Sequence, residues 1–355
     1  MNYHTRPNSY VKRDDQGDPD DPRDPKRTAA RAPQEEPVSM RFAIMLEPQQ
    51  GITYAEQLAV AQRAEAAGFE AFFRSDHYES FPGPGNLPTT DAWTVLAGIA
   101  RETSTIRLGA LVSPVTYRLP GPFAKIVTTV DEMSSGRVDV ALGTGWHEGE
   151  HRRLGIPFPP VAERAEMLEE SLAILHGLWT EPDGWSSSGP RWHVSDALFR
   201  PKPVQRPHPP IIVGGGGTPR GLRIAARYAD EFNLTDSKVA AIPGHYADLD
   251  AACRAIGRDP SSIRRSAMIG VLVGRDEAEV ARRRAEVIAA FATPDQGATW
   301  LAKREPHWVT GTPEQFRAQV AQLEALGVGR LMLQDFLPRD LAMIDLLGAE
   351  LIRPA

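Results

Sequence analysis

From Met40 to its end, the chain alternates short apolar segments with longer segments of amphipathic helical pattern, and it does so eight times. An apolar run of about four to eight residues is typical of a strand buried on both faces of a parallel sheet. The predicted strands are 42–46, 70–74, 106–112, 138–142, 210–213, 230–234, 266–273 and 330–334. The predicted helices are one that ends before Gly68, then 91–101, 121–133, 163–179, 220–228, 245–256, 276–291, 313–326 and 339–351. Eight such units predict an α/β fold, a closed (β/α)8 TIM barrel with insertions.

An open, doubly wound parallel sheet is the alternative to the barrel. Such a sheet is expected to have a G-x-G-x-x-G sequence just after its first strand. The loop after the first predicted strand instead reads EPQQG, residues 47–51. We therefore prefer the barrel.

Residues 1–39 differ in composition from the rest of the chain. They are rich in Asp, Arg and Pro, as in the stretch DDQGDPDDPRDPKR, and are nearly free of large apolar side chains. Such a segment buries too little apolar surface to offset the entropy that is lost on ordering. We therefore expect a disordered tail at 1–39, followed by a single barrel domain at 40–355.

Charge and apolar pattern argue against several classes of function. The formal net charge is −6 and no sizeable basic cluster occurs, which argues against nucleic acid as the main partner. No apolar run is as long as a membrane span, and the single cysteine, Cys253, allows no disulfide framework. These features predict a cytoplasmic protein that acts on a small molecule, and they are compatible with a homodimer.

The segment 137–158 has a glycine turn and a polar cluster directly after the fourth predicted strand. His147 and His151 match the H-E-x-x-H zinc pattern, which works only when both histidines lie on one face of a helix. Gly149 between them, the prolines that follow and the lack of an apolar helical stripe favour a loop. We therefore expect no metal site here.

In a barrel, the active site lies in the loops at the carboxyl ends of the strands. These loops contain Glu47, Gln49, Trp146 and His147 as candidates for substrate binding, and Asp76 and His77 as candidates for catalysis. His77 is the acid–base candidate because imidazole titrates near neutrality. A helix N-cap with a structural histidine beside it is the alternative interpretation of Asp76 and His77.

Four consecutive glycines, residues 214–217, follow the fifth predicted strand and run into a helix. Their backbone N–H groups and the positive end of the helix dipole would suit a phosphate, and a tight structural turn is the alternative. The chain has no G-x-S-x-G elbow, no Walker A sequence and no Cys-x-x-Cys pair. A phosphate-bearing organic cofactor for redox chemistry is therefore the most economical hypothesis.

Several segments of the chain match a known family. They are FRSDHY at 73–78, TDAW at 90–93, IRLG at 106–109, MSSGRV at 133–138, the segment that starts GTGW at 143–151, PKPVQ at 201–205, IIVGGGG at 211–217 and ADEFN at 229–233. From Met40 onward the chain resembles the bacterial luciferase-like superfamily of flavin and deazaflavin oxidoreductases. It is most similar to the branch that uses the deazaflavin coenzyme F420. The resemblance implies a luciferase-like barrel with the cofactor across its C-terminal mouth and hydride transfer at the deazaflavin C5.

The resemblance also implies roles for individual residues. Asp76 and His77 would lie against the cofactor, with His77 acting in catalysis and Asp76 holding histidine and cofactor in place. The implied cofactor-binding residues are Asp76, Leu111, Val112, Ser113, Thr144, Gly145, Gly215, Gly216 and Gly217. The Leu111–Val112 peptide bond is expected to be cis, as at the matching position of relatives. Trp146 stands where the sugar-phosphate dehydrogenase branch has Glu, so a sugar phosphate substrate is not expected.

These features predict an oxidoreductase that transfers a hydride between F420 and a small organic substrate with an activated C=C or C=O group. One alternative is a monooxygenase that depends on flavin mononucleotide (FMN) and receives reduced flavin from a partner reductase. A second is a non-catalytic flavin-binding protein, which would lack polar groups at the mouth, whereas Glu47 and His77 are present here. The substrate pocket is expected to be shaped by the segments 81–88 and 181–205.

Overall fold

A computed structural model describes residues 40–81, 85–235, 238–291 and 293–352, so the predicted tail at 1–39 lies outside the described residues. The strands are β1 (Arg41–Leu46), β2 (Ala71–Arg74), β3 (Arg107–Ala110), β4 (Ser113–Pro114), β5 (Val140–Gly143), β6 (Trp185–Ser188), β7 (His193–Ala197), β8 (Ile211–Gly215), β9 (Glu231–Leu234), β10 (Arg264–Val273), β11 (Val309–Gly311) and β12 (Arg330–Asp335). The α-helices are α1 (Tyr54–Ala67), α2 (Ala92–Glu102), α3 (Pro120–Met133), α4 (Glu148–Leu154), α5 (Val161–Thr180), α6 (Pro219–Tyr228), α7 (Ile242–Ala255), α8 (Glu277–Ala289), α9 (Pro294–Arg304), α10 (Pro313–Ala325) and α11 (Leu341–Leu351).

Parallel pairing joins the barrel strands in the order β3-β2-β1-β12-β10-β9-β8-β5-β4. The sheet closes between β3 and the segment that leads into β5, because Leu108 of β3 forms a parallel bridge with Val138. The sheet is therefore nearly closed, and the helices surround it. The predicted (β/α)8 barrel is confirmed.

Side chains alternate along the barrel strands between two apolar cores, because successive residues of a strand point to opposite faces. Ile44 and Leu46 of β1 belong to the layer between strands and helices. Their neighbours Ala43 and Met45 point into the barrel. The core inside the barrel consists of Ala43, Met45, Ala71, Phe73, Leu111, Ala141, Ile212 and Met332.

A cluster of charged side chains occupies the N-terminal end of the barrel. Arg330, the first residue of β12, is buried and donates to Asp139 Oδ2 at 2.9 Å and to Glu231 Oε2 at 2.5 Å. A buried arginine requires such carboxylate partners, because an unpaired charge would be strongly destabilising. The candidate active-site residues lie at the opposite, C-terminal mouth.

The third predicted strand, 106–112, is shorter in the structure. β3 ends at Ala110, and pairing resumes in β4, which joins β5 at Ser113. The Leu111–Val112 peptide bond between them is cis, which confirms the prediction.

The segment after β5 was predicted to be a loop. This prediction was wrong, because Glu148–Leu154 form helix α4. Acidic side chains lie in its first turn and basic ones in its last, which complements the helix dipole. Gly155 ends the helix in the left-handed conformation, with a φ of 68°. Gly149 lies in the first turn and does not interrupt the helix, so this glycine did not indicate a loop.

The insertion 181–205 contains the antiparallel hairpin of β6 and β7. It packs at the N-terminal end of the barrel, since Trp185 lies against Gly177 near the end of α5 and Lys202 Nζ donates to the carbonyl oxygen of Leu178. The expectation that this insertion shapes the substrate pocket at the mouth was therefore wrong. Helix α9 and strand β11, which lie between β10 and β12 in the chain, were not predicted.

No helix within the described ranges is long and apolar enough to span a membrane.

Candidate active site

His77 and Glu150 form a hydrogen-bonded pair at the mouth, one from the loop after β2 and the other from α4. His77 Nδ1 lies 2.9 Å from Glu150 Oε1, and Glu150 Oε2 accepts the backbone N–H of Tyr78 at 3.0 Å. The side chain of Glu150 is 1% exposed and that of His77 13%. Burial raises the pKa of Glu150, but hydrogen bonds from His77, Tyr117 and the Tyr78 N–H to the carboxylate together outweigh it, so this pKa is lowered. The pair brings an acid–base group and an ionised carboxylate together at the mouth.

Aromatic rings surround His77. Its ring lies edge-on to Phe81 at 4.5 Å and to Trp146 at 5.7 Å, and 6.2 Å from the ring of His147. We call Phe81, Trp146 and His147 the aromatic rim. Trp146 is 66% exposed, so its ring is accessible to a ligand at the mouth. Burial lowers the pKa of His147, which favours its neutral form.

Asp76 does not have His77 as its partner, contrary to expectation. Its buried carboxylate accepts from Arg118 Nη1 at 2.5 Å and from Ser113 Oγ at 2.9 Å, both at Oδ2. Trp93 in turn donates to Ser113 Oγ at 2.9 Å. Asp76 therefore joins the loop after β2 to the residues that follow β3, and its side chain is occupied within the protein.

Glu47 and Gln49 belong to a buried polar chain across the mouth. Gln49 Nε2 donates to Glu47 Oε2 at 2.7 Å, and Ser75 Oγ donates to Gln49 Oε1 at 2.6 Å. Gln334 of β12 donates to the other carboxylate oxygen of Glu47. Gln49 is 1% exposed and Glu47 8%, so this chain forms a floor, while Trp146 is the exposed member of the predicted substrate-binding set.

Val112 fits between two glycines from neighbouring strands. A Cβ on Gly143 or on Gly214 would lie 2.6 Å from a Cγ atom of Val112, closer than any real contact. The side chain of Leu111 points into the inner core, and its predicted contact with the cofactor is one through the backbone. The glycines of β5 and β8 are thus required for the position of Val112 at the mouth.

Arg164 of α5 binds the backbone of the turn after β5. Arg164 Nε donates to the carbonyl oxygen of Thr144 at 3.1 Å and Nη2 to that of Gly145 at 3.5 Å. Its guanidinium also lies 3.7 Å from the ring of Phe158. Because Arg164 binds these carbonyl oxygens, the backbone of the predicted cofactor-binding residues Thr144 and Gly145 has a fixed orientation.

The glycines at the end of β8 and directly after it leave an open space at the start of α6. A Cβ on Gly215 or Gly216 would meet no atom within 4 Å, whereas one on Gly217 would collide with His245. Thr218 caps α6 by accepting the N–H of Gly221 at 3.2 Å. Space, backbone and a capped helix N-terminus therefore coincide where a phosphate was predicted.

His147 and His151 flank the first turns of α4 but are used differently. His151 Nδ1 lies 2.7 Å from the carbonyl oxygen of His147, and its Nε2 lies 2.7 Å from Thr116 Oγ1. Both ring nitrogens of His151 are thus engaged within the protein. Within the described ranges, no group of three or more His, Cys, Asp or Glu residues is arranged to hold a metal ion.

A cavity of about 480 Å³ lies between the loops after β1 and β12 and helix α8. Its apolar lining includes Ile52, Leu87, Phe336 and Leu337. Leu87 belongs to the segment 81–88, which was expected to shape the substrate pocket. Trp308 stacks on Phe336 with ring centroids 5.0 Å apart, next to the mouth-side residue Gly270.

Three functional candidates were missed in the sequence: Glu150, Arg118 and Arg164. Glu150 lies in the polar cluster of the segment 137–158, where no feature of the sequence distinguishes it from its neighbours. Arg118 and Arg164 lie in a loop and at the start of a helix, where surface arginines are common. No local signal distinguishes them, because their partners are distant in sequence.

The barrel and the polar groups that converge at its C-terminal mouth define the class, an α/β barrel with the site arrangement of TIM-barrel enzymes. The sequence profile of the family described as luciferase-like monooxygenase matches residues 39–330. The chain therefore belongs to the luciferase-like monooxygenase family, whose members are oxidoreductases.

Relatives within this family differ in cofactor. An FMNH2-dependent dimethylsulfone monooxygenase of Pseudomonas putida is 29% identical over 303 residues, which cover 78% of this chain and 82% of the relative. An F420-dependent glucose-6-phosphate dehydrogenase of Nakamurella multipartita is 32% identical over 215 residues, 60% of each chain. A solved F420-dependent secondary alcohol dehydrogenase, in complex with an F420–acetone adduct, superposes with a TM-score of 0.75 at 19% identity, covering 88% of this chain and 98% of that one.

Proposed function

We propose that this protein transfers a hydride between coenzyme F420 and a small organic substrate with an activated C=C or C=O group. The observation that carries the proposal is the pairing of His77 with the buried Glu150, beside the exposed Trp146. The same mouth has exposed glycine backbone at the end of β8. The pair suits proton transfer, and the open backbone suits a phosphate-bearing cofactor.

The residues present fit a cofactor of this kind. Gly215 and Gly216 have free space where a phosphate would bind at the start of α6, and Gly217 completes the turn. Val112, Ser113, Thr144 and Gly145 would hold the ring system by their backbone. When bound, F420 supplies two-electron hydride chemistry at its C5. A side chain at Gly215 or Gly216 would occupy the space that the cofactor needs.

In this proposal, His77 gives a proton to the substrate or removes one from it. Its Nε2 has no hydrogen-bond partner among the residues that the structure describes and is available to a ligand. Asp76 acts indirectly, by holding Arg118 and Ser113 beside the site. Trp146 and His147 of the aromatic rim would contact the substrate, above the polar floor of Glu47 and Gln49.

An FMN-dependent monooxygenase with a partner flavin reductase is the second candidate. The similarity to the dimethylsulfone monooxygenase, which covers 82% of that relative, favours it. The two candidates require different chemistry from the same barrel, because a deazaflavin has carbon where a flavin has N5 and reacts poorly with oxygen. A non-catalytic flavin-binding role is disfavoured by the polar mouth.

A side-by-side titration of the purified protein with F420 and with FMN, each in both redox states, tests the proposal. We expect F420 to bind at least about tenfold more tightly than FMN, a difference of about 1.4 kcal/mol. Tighter binding of FMN, with oxygen consumption on addition of reduced FMN, would replace the proposal by the monooxygenase. Binding of neither cofactor would contradict both.

A further inference from the structure

Glu150 contacts two consecutive residues of the loop after β2. One carboxylate oxygen faces His77 Nδ1 at 2.9 Å, and the other accepts the N–H of Tyr78 at 3.0 Å. Burial of a carboxylate to 1% exposure is costly unless both oxygens are engaged. The contact with Tyr78 fixes the rotation of the carboxylate, so the oxygen that faces His77 cannot turn away.

The chemistry of this contact determines which nitrogen of His77 carries the proton. An ionised carboxylate only accepts hydrogen bonds, so Nδ1 must be the donor. In neutral imidazole the proton on Nδ1 leaves Nε2 with a lone pair. Nε2 has no hydrogen-bond partner within the described residues, and the aromatic rim flanks the ring.

The neighbouring titratable groups do not provide another acceptor for His77. The ring of His147 lies 6.2 Å away and pairs closely with Phe81, at 4.5 Å. The Tyr78 hydroxyl donates to Asp91 at 2.7 Å on the side of Arg118. Glu150 is therefore the group that can orient the imidazole.

We propose that Glu150 is a positioning residue that holds His77 as the Nδ1–H tautomer, with the Nε2 lone pair available to the substrate. The proposal rests on the proposed function, in which His77 transfers a proton. The neutral ring then accepts a proton at Nε2 from the substrate, and the protonated ring donates it from the same atom. Asp76, which is adjacent in sequence, has no part in this orientation.

The charge-neutral variant Glu150→Gln has a specific expected outcome. The Tyr78 N–H still requires an acceptor, so the amide oxygen of Gln takes the Oε2 position and its NH2 group faces His77 Nδ1. An NH2 group donates, and Nδ1 must then accept. The proton of His77 is expected to move to Nε2, which inverts the tautomer.

Nitrogen-15 NMR of histidine-labelled protein measures this directly, at a pH at which the two ring nitrogens of His77 give the separate signals of a neutral imidazole. His77→Asn identifies the His77 resonances, and Glu148→Gln, an exposed carboxylate on the same helix, is the matched control. We expect a protonated Nδ1 in the wild type and in Glu148→Gln, and a protonated Nε2 in Glu150→Gln. A protonated Nε2 in the wild type would by itself overturn the proposal. An unchanged tautomer in folded Glu150→Gln would also overturn it.

The tautomer is measured on the protein alone, so the result does not depend on whether F420 binds. If F420 supports turnover, we expect Glu150→Gln to lower kcat about 10- to 100-fold with little change in KM, as for other residues that orient a reacting group. An unchanged kcat would also overturn the proposal. Failure of F420 binding contradicts the proposed function and leaves the tautomer result standing.

Discussion

Arg118 binds both carboxylate oxygens of Asp76, with Nη1 2.5 Å from Oδ2 and Nη2 3.2 Å from Oδ1. The same guanidinium donates to Tyr78 Oη at 2.8 Å and to Asp91 Oδ2 at 2.6 Å. The loop after β2, the start of α2 and the segment before α3 are thus joined through one arginine. The aspartate beside the candidate catalytic histidine is a structural partner of this arginine.

Arg118→Met should destabilise the protein strongly, because it leaves the carboxylate of Asp76 buried without its cation. We expect the free energy of unfolding to fall by about 3–5 kcal/mol, measured by urea denaturation. The control is Arg63→Met, which breaks an exposed ion pair with Asp345 and should cost about 0–1 kcal/mol. Equal losses for the two variants would contradict a structural role for Arg118.

His77→Asn keeps much of the side-chain volume but cannot titrate. If His77 is the proton-transfer group, turnover with F420 should fall about a hundredfold or more, while F420 affinity changes little. The exposed His193→Asn on the hairpin should leave both quantities unchanged. Wild-type turnover in His77→Asn would transfer the role to another mouth residue, with Glu47 and His147 as the next candidates.

Gly216→Ala separates ligand binding from folding. The added Cβ meets no protein atom within 4 Å, so the melting temperature should not fall. A cofactor phosphate at the start of α6 would meet this methyl group, and we expect affinity for F420 to fall about tenfold or more, by about 1.4 kcal/mol. Gly121→Ala, which also enters open space, is the control for both measurements. Full affinity in Gly216→Ala would mean that the phosphate binds elsewhere.

Asp91 should contribute to acid sensitivity. Burial raises the pKa of Asp91, but the hydrogen bond from the N–H of Thr94 and the charge of Arg118 have a larger opposite effect and lower this pKa to about 2. A carboxylate whose pKa is below its unfolded value of about 3.9 stabilises the fold above that pH, and the contribution is lost as the pH falls to about 2. Asp91→Asn can still accept the N–H of Thr94 and cap α2, but it does not titrate. The stability gap between wild type and variant should therefore narrow as the pH falls from about 4 to about 2. A constant difference between the urea midpoints of wild type and Asp91→Asn over that pH range would contradict this prediction.

Removal of residues 1–39 should leave stability and cofactor affinity nearly unchanged, because their composition offers little apolar surface for packing. Thermal unfolding and F420 titration of the chain that begins at Met40 measure both. A clear loss of either would mean that the tail packs on the barrel or covers its mouth.

Elements with a strong local pattern could be predicted from the sequence. The first strand was predicted at 42–46 and is Arg41–Leu46, and the last helix was predicted at 339–351 and is Leu341–Leu351. Helix α4 could not, because it is only seven residues long, contains Gly149 and has no apolar stripe, so its local pattern is that of a loop. The roles of the predicted site residues and the choice between F420 and FMN stay predictions.

The number and order of the strand–helix units follow from local sequence patterns, because burial of one face gives each strand or helix a regular spacing of apolar residues. The loops at the mouth follow from the same patterns. Which side chains meet there depends on how the barrel closes. His77 and Glu150 are 73 residues apart, and Asp76 and Arg118 are 42 apart. Closure of the barrel brings them within hydrogen-bond distance, and hydrogen bonds between side chains so far apart leave no periodic pattern in the chain.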